Sequence, residues 1–424
     1  MSADQLARDR ALPAHLVRAR IGVFATFFVV GFGMAAWLVS IPAVSERTGV
    51  SHATLGLLLL VLGLGGVVGM QIVGYVIQRV GSKIVVAAAL TLYVIGVNLP
   101  VHATGAVTLG IALLIFGLAN GAVDVAMNDQ AVIVERDYGR PIMSAFHAFW
   151  SVGGAAGALV GAAAQAAGLS VTVAVLASSV LVAIGGLVFV RMLLPPDHAN
   201  TPTVDDAPAP TAEPAKLPTA VRNRVIGFGV LAFLLFLAEG VANDWSALHA
   251  IEHLGLPAAT AALAYATFAV SMTVGRLTVD RIAGRFGPAF VVRYGSLTAA
   301  AGLLLVMLSP AFALTLVGWA IFGLGLAGVV PQIFTAAGNI SSTNQSILLS
   351  RVVGAGYVGH LAGPALIGVV GGWIGLNLAF GLPLVFCLVA VIVAPIVTPR
   401  TERSDRTVTS DRASTRALEP EDQR

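Results

Sequence analysis

Asp124 stands between Asn120 and Asn128 in a mostly apolar stretch, residues 106–134. Residues four apart share one face of a helix, so the two amides flank the carboxyl one turn to either side. Asp124 lies eleven residues before Glu135, where polar sequence resumes. At about 1.5 Å per residue that places it about 16 Å deep in a spanning helix. An ionisable group at mid-depth in lipid costs roughly 2.5 kcal/mol or more and marks a functional site by default. The chemistry that suits it is proton carriage: a carboxyl loaded at one face of the membrane and emptied at the other. The Asn amides would hold the carboxyl or a solute hydroxyl. The structural alternative is a hydrogen bond that fixes this helix to a neighbour.

Glu239 repeats the theme, fifteen residues past Arg224 and thirteen before Glu252, again near mid-depth. Asn243 is one turn away on its face, and Asp244 lies nearer the outer surface. His147 follows Arg140 by seven residues, about 10 Å from the inner surface by helical rise. Histidine titrates near neutrality and can relay protons, unless it simply donates to a backbone carbonyl. Trp37 and Trp245 offer flat aromatic faces of the kind that hold sugars or heterocycles; Gln71 is a further polar contact for a substrate. Trp319 and Trp373 suit packing or anchoring at the membrane interface. No His, Cys or carboxylate cluster has ligand spacing, so no metal is expected. No glycine-rich phosphate loop and no nucleophile elbow is present, so neither a cofactor nor an enzyme activity is expected. The energy source would be a proton gradient.

These residues must be positioned by elements that live in lipid. Of 424 residues 57% are hydrophobic and only 11% charged, and the mean hydropathy is +0.89. That excludes a disordered chain and a water-soluble enzyme, neither of which tolerates such apolar excess. A single cysteine, Cys387, excludes a disulfide framework. Twelve apolar runs of about spanning length follow one another. They cover residues 21–44, 54–77, 84–100, 106–134, 143–166, 171–194, 225–248, 258–279, 290–307, 312–339, 352–373 and 378–397. Their length and scattered small residues point to an all-α integral membrane bundle and not to a β-barrel.

With the N-terminus in the cytoplasm, every one of the 24 basic residues except Arg47 falls on the inner side or just within it. The positive-inside rule then places both termini in the cytoplasm of a multi-pass inner-membrane protein. Residues before Ile21 carry no cleavable signal peptide. The lipid bilayer and a small-molecule substrate are the expected partners, with no nucleic acid, and the chain is expected to act as a monomer. A proline-rich linker, residues 195–224, separates two six-helix bundles, 21–194 and 225–397. Residues 1–20 form a cytoplasmic lead, and residues 398–424 are expected to be a disordered cytoplasmic tail.

The bundles read as copies. Gly74, Arg79 and Gly81 recur as Gly275, Arg281 and Gly287, and Gly49–Thr54 parallels Gly255–Thr260, at offsets of 201 to 206 positions. Parallel six-helix repeats are a plan of secondary transporters, with substrate between the halves. Because the pattern recurs, Arg79, Lys83, Asp280, Arg281 and Arg285 are expected to form inter-helix charge contacts that open and close as the halves rock.

The loop Gly74-Tyr-Val-Ile-Gln78-Arg79-Val-Gly81-Ser-Lys83 resembles the signature of the major facilitator superfamily, departing from it at Gln78, where the family carries Asp. The second copy, Gly275 to Gly287, keeps the acid at Asp280. Asn120-Gly-Ala-Val-Asp124-Val-Ala-Met-Asn128, Gly139 to His147, Glu239 to Ser246 and Pro331-Gln-Ile-Phe334 resemble the fucose permease-like branch. The resemblance implies two pseudo-symmetric bundles and a central cavity lined from the first, fourth, seventh and tenth helices. It also implies proton-coupled uptake of a sugar, with Asp124 and Asn128 matching an acid–amide pair that takes part in it. Two carboxylates, Asp124 and Glu239, would face that cavity with no intramembrane Lys or Arg between them. The expected function is proton symport of a small polar uncharged solute. The rival readings are an efflux antiporter for amphipathic compounds and a non-transporting membrane receptor.

Overall fold

The computed structural model describes residues 12–195, 217–341 and 344–398. The linker and tail expected at 195–224 and 398–424 therefore lie largely outside the described residues. Among the described residues twelve helices are long and apolar enough to span a membrane: α1 Ala14–Thr48, α2 Thr54–Val80, α3 Ser82–His102, α4 Ala106–Tyr138, α5 Met143–Ala166, α6 Val171–Met192, α7 Thr219–Leu254, α8 Ala258–Phe286, α9 Pro288–Leu308, α10 Phe312–Gly338, α11 Gln345–Ile374 and α12 Leu376–Val397. Several outrun the apolar stretches that announce them. Thus α1 begins seven residues earlier, and α8 runs on through Asp280, Arg281 and Arg285 to Phe286. Charged side chains are good helix formers once the backbone leaves hydrocarbon, so the helix need not stop where hydropathy falls.

Turn chemistry repeats between the halves. Gly81 after α2 and Gly287 after α8 have φ of 80° and 85°, a left-handed region open to glycine. Gly49 and Gly255, which end α1 and α7, have φ of 64° and 66°. Packing repeats as well. In the first half α1 lies on α5 and α2 on α4; in the second α7 lies on α11 and α8 on α10. Each contact is a backbone approach that only glycine allows. A Cβ at Gly153 would strike the Phe28 carbonyl, and one at Gly359 the Phe233 carbonyl. Without a hydrophobic force between helices in lipid, such close van der Waals contact is a main source of association. Leu57, Val270 and Ile392 are 66%, 64% and 76% exposed, an outer surface that only acyl chains would cover favourably.

α10 is broken into Phe312–Leu326 and Val329–Gly338. Pro331 has no N–H for the carbonyl one turn before it, which explains the interruption. The halves meet through α2 against α11, α5 against α8, and the last part of α10 against α4 and α5. Among the described residues, most of the hydrogen bonds that join the halves lie toward one end of the bundle, the end where α1 begins and α12 ends. This basic end carries Arg20, Arg79, Lys83, Arg140, Arg281 and Arg285.

Gly359→Leu is expected to destabilise the protein by about 1–3 kcal/mol through overpacking against Phe233. Gly372→Leu, on the same helix with nothing near its added Cβ, should leave stability unchanged. Thermal unfolding of both variants in detergent checks the pair.

Candidate functional site

The polar centre is built from α4 and α5 of the first half and α7, α8 and α11 of the second. Asp124 is half-buried on α4. The Asn128 amide donates to the Asp124 backbone carbonyl at 2.9 Å, not to its carboxylate. Its own oxygen lies 3.2 Å from Nε2 of His147, whose ring packs edge-on to Phe27 and beside Phe334. Asn128 is wholly buried, and Asn120 nearly so. The Tyr357 hydroxyl of α11 reaches the Asn120 side chain and lies within electrostatic range of Asp124 and Glu239.

The expectation of two carboxylates without an intramembrane cation is overturned by Arg276. Its Nη2 lies 3.3 Å from Glu239 Oε1, and Nη1 donates to Ser151 Oγ at 2.9 Å. The guanidinium side chain is 7% exposed and the Glu239 side chain 13%. The reason is the length of α8. Arg276 looks like the inner end of an apolar run, but ten more helical residues follow to Phe286, which sinks it by about 15 Å. Arg276 therefore ties α7 and α8 of one half to α5 of the other.

Around this centre the remaining residues divide. Trp245 is half-buried, and its indole N–H has no partner among the described residues. Asp244 is exposed on α7, facing His360 and Tyr265 electrostatically; Asn243 beside it is half-buried. Trp37 is 1% exposed and stacked edge-on against Phe116, a core packing position inside the first half and not a cavity wall. Gln71 donates across the halves to the Ser350 carbonyl at 3.0 Å, so its amide is occupied by a helix contact.

At the basic end the charge contacts expected among five loop residues are mostly not made. Asp280 does cross the halves: its two oxygens accept from the Ser144 and Ala145 amides, at 3.2 and 2.8 Å, at the amino terminus of α5. Lys83 instead donates to the Arg191 and Leu193 carbonyls at the end of α6 in its own half. Arg285 lies over the neighbouring Phe286 ring, and Arg79 and Arg281 form no ion pair with a described residue. Exposed arginines gain little from pairing in the wet headgroup zone.

Two other carboxylates do more than the sequence reading foresaw. Asp129, 1% exposed, accepts from Ser346 Oγ at 2.8 Å and Gln345 Nε2 at 3.2 Å, both at the start of α11. Glu135 accepts from the Ile142 and Met143 amides at 2.7 and 2.6 Å and from Thr335 Oγ1 of the other half at 2.6 Å. The signal for Asp129 was a second acid deep within one apolar run; Glu135 served only as a marker of where that run ends.

Glu239→Gln should destabilise the protein by about 3–5 kcal/mol, because it leaves a buried guanidinium unpaired. The double change Glu239→Gln, Arg276→Gln should recover part of that loss, read as melting temperature in detergent. Asp280→Ala should raise hydrogen exchange at the Ser144 and Ala145 amides about tenfold, on the order of one charge-assisted hydrogen bond. Peptide-resolved exchange over the start of α5 measures it.

Comparison with known proteins adds the family. The sequence profile described as Major Facilitator Superfamily matches in two overlapping stretches, residues 23–307 and 230–421. An uncharacterized MFS-type transporter of Yersinia pestis is 37% identical over 372 residues, 88% of this chain and 94% of that one. Among solved structures, the E. coli fucose:proton symporter FucP aligns with a TM-score of 0.71 at 15% identity over 90% of this chain and 98% of that one. The proton:xylose symporter XylE, bound to 6-bromo-6-deoxy-D-glucose, aligns with a TM-score of 0.67 at 12% identity over 92% and 97%. At such identities the structures share the fold, including a fucose permease-like neighbour, and no more. Profile, relative and fold agree with the duplicated twelve-helix bundle, and the chain belongs to the Major Facilitator Superfamily.

Proposed function

We propose that this transporter is a proton-coupled symporter of a small polar uncharged solute, working as a monomer by alternating access with Asp124 as its proton carrier. One observation carries the reading. Two half-buried carboxylates stand at similar depth on opposite halves, and only one of them is neutralised by a cation. Glu239 holds Arg276, so a proton placed there would strand a buried positive charge. Asp124 has no cationic partner among the described residues, so taking a proton removes a charge from the interior and strands nothing.

The same pairing bears on substrate. With Arg276 offset by Glu239, the centre offers no free cation to balance an anionic solute, which favours an uncharged one. Trp245, Asn243 and Tyr357 supply the aromatic face and hydroxyl partners a sugar would use. The symport named for FucP and XylE supports the same choice by likeness. In the orientation argued from the positive-inside rule, the basic end is cytoplasmic in a cell inner membrane. Closure of that end by Asp129, Glu135 and Asp280 then corresponds to an outward-facing arrangement. A second reading, efflux of amphipathic compounds, draws on the aromatic group of Phe236, Phe334 and Tyr357 near the same centre.

The test is solute-driven proton movement in de-energised proteoliposomes. Neutral hexoses, deoxyhexoses, pentoses and nucleosides are added outside, alongside a few cationic drugs. A neutral sugar that makes the outside alkaline, with the response lost in Asp124→Asn, is the expected result. An unchanged response in that variant removes Asp124 as carrier. Proton movement in the opposite direction, driven only by cationic drugs, replaces symport by efflux.

A further inference from the structure

One cavity among the described residues lies away from the polar centre. It is a groove of about 420 Å³ between α7 and α11 at the basic end. Two guanidinium groups, Arg222 and Arg351, stand in its lining, and no carboxylate among the described residues lines it. The rest of its wall is apolar and linear. Ile226, Val230 and Phe233 follow Arg222 at spacings of three and four along α7, and Ala355 follows Arg351 by one turn on α11. The eleven residues from Arg222 to Phe233 rise by about 16 Å, roughly the depth of one leaflet's hydrocarbon. Ile226 and Val230 are 57% and 51% exposed, so the groove opens toward lipid.

A third feature converges on the same end. α7 begins at Thr219 behind Pro218, with no side chain of the described residues capping its first amides. The first four amides of a helix have no partner within it, and they favour an anion together with the helix dipole. Arg222 stands on this first turn. A positive rim from two arginines and a helix terminus, continued by an apolar trough along α7, is complementary in shape and charge to a lipid with one negative headgroup.

We propose that this groove is a binding site for an anionic phospholipid, whose phosphodiester is held by Arg222, Arg351 and the amino terminus of α7 while one acyl chain lies along Ile226, Val230 and Phe233. A zwitterionic lipid fits less well, because its ammonium would meet the same positive rim. The site also has a consequence for the halves. Arg351 Nη2 lies 3.4 Å from the Tyr75 hydroxyl of α2, in the other half. A phosphate on Arg351 anchors that guanidinium beside the seam between the halves, where the basic end opens and closes.

The experiment is native mass spectrometry of the full chain in detergent, titrated with dioleoyl phosphatidylglycerol, dioleoyl phosphatidylcholine or glycerol 3-phosphate. Phosphatidylglycerol should be retained at least tenfold better than phosphatidylcholine, and glycerol 3-phosphate should not be retained. The double change Arg222→Gln, Arg351→Gln should cut phosphatidylglycerol retention about tenfold. Arg222→Lys, Arg351→Lys keeps the charge and should lose less, and Arg293→Gln, basic but outside the groove, should lose nothing. Equal retention of the two lipids, or phosphatidylglycerol retention unchanged in the double Gln variant, overturns the site. Should that variant be poorly folded, the Lys variant and the comparison of the two lipids on the native chain decide it.

Discussion

The first amides of α5, on Ser144 and Ala145, end in the carboxylate of Asp280, which belongs to the other half of the molecule. Much of the arrangement at the basic end hangs on that kind of bond. A helix terminus leaves donors unsatisfied, and toward the membrane interior water is scarce, so an acceptor must be built in. When the acceptor sits on the opposite bundle, the bond exists only while the two bundles are closed. Glu135 works alike, gathering two amides of its own half and the Thr335 hydroxyl of the other. In lipid, apolar burial does little to favour one arrangement of helices over another. Directional hydrogen bonds to charged acceptors, each about 1.5–3 kcal/mol, therefore decide the closed state.

The internal duplication gives these bonds a shared logic with different residues. The second half places Asp280 at the start of α5. By the repeat, the first half should place an acid at the start of α11, but position 78 is a glutamine, which donates to Asn344 at 3.4 Å. The carboxylate at that helix start comes instead from α4, where Asp129 accepts from Gln345 and Ser346. Each bundle thus supplies one carboxylate to the first turn of a helix in the other. Two-fold pseudo-symmetry survives in chemistry where it has been lost in sequence position, and rocking of the bundles must break both contacts.

The twelve helices, their division into six and six, and the equivalence of Gly81 with Gly287 were all legible in the sequence, because hydropathy and glycine placement act locally. What hydropathy cannot locate is the end of a helix that continues past the hydrocarbon. That single difficulty hid Arg276, which looks peripheral on the apolar run and is buried on the real helix. Asp129 was hidden for another reason. Adjacent residues on a helix point about 100° apart, so the face shared by Asn120, Asp124 and Asn128 says nothing of what Asp129 meets. Trp37 and Trp245 are the same residue type in similar runs; one is packed against Phe116 and the other has an indole N–H with no partner among the described residues. Only the neighbouring helices distinguish them.

Arg276 also bears on how the proposed proton site would be linked to movement of the bundles. It holds Glu239 on α7 and Ser151 on α5, so its guanidinium bridges the bundles at the depth of the polar centre. Separation of α5 from α8 would break the hydrogen bond from Arg276 to Ser151 and leave the ion pair intact, because both charges ride on the same bundle. The cost of opening at this point is then one hydrogen bond and not one buried charge. Asp124 lies across the seam on the first bundle, and Tyr357 on the second bundle lies within electrostatic range of both carboxylates. On the proposal that Asp124 carries the proton, its charged form would act on groups of the second bundle that its protonated form would release, so that proton occupancy would bias how the two bundles sit. In that proposal the Arg276–Glu239 pair would stay neutral as a unit while Asp124, with no cationic partner among the described residues, changes charge.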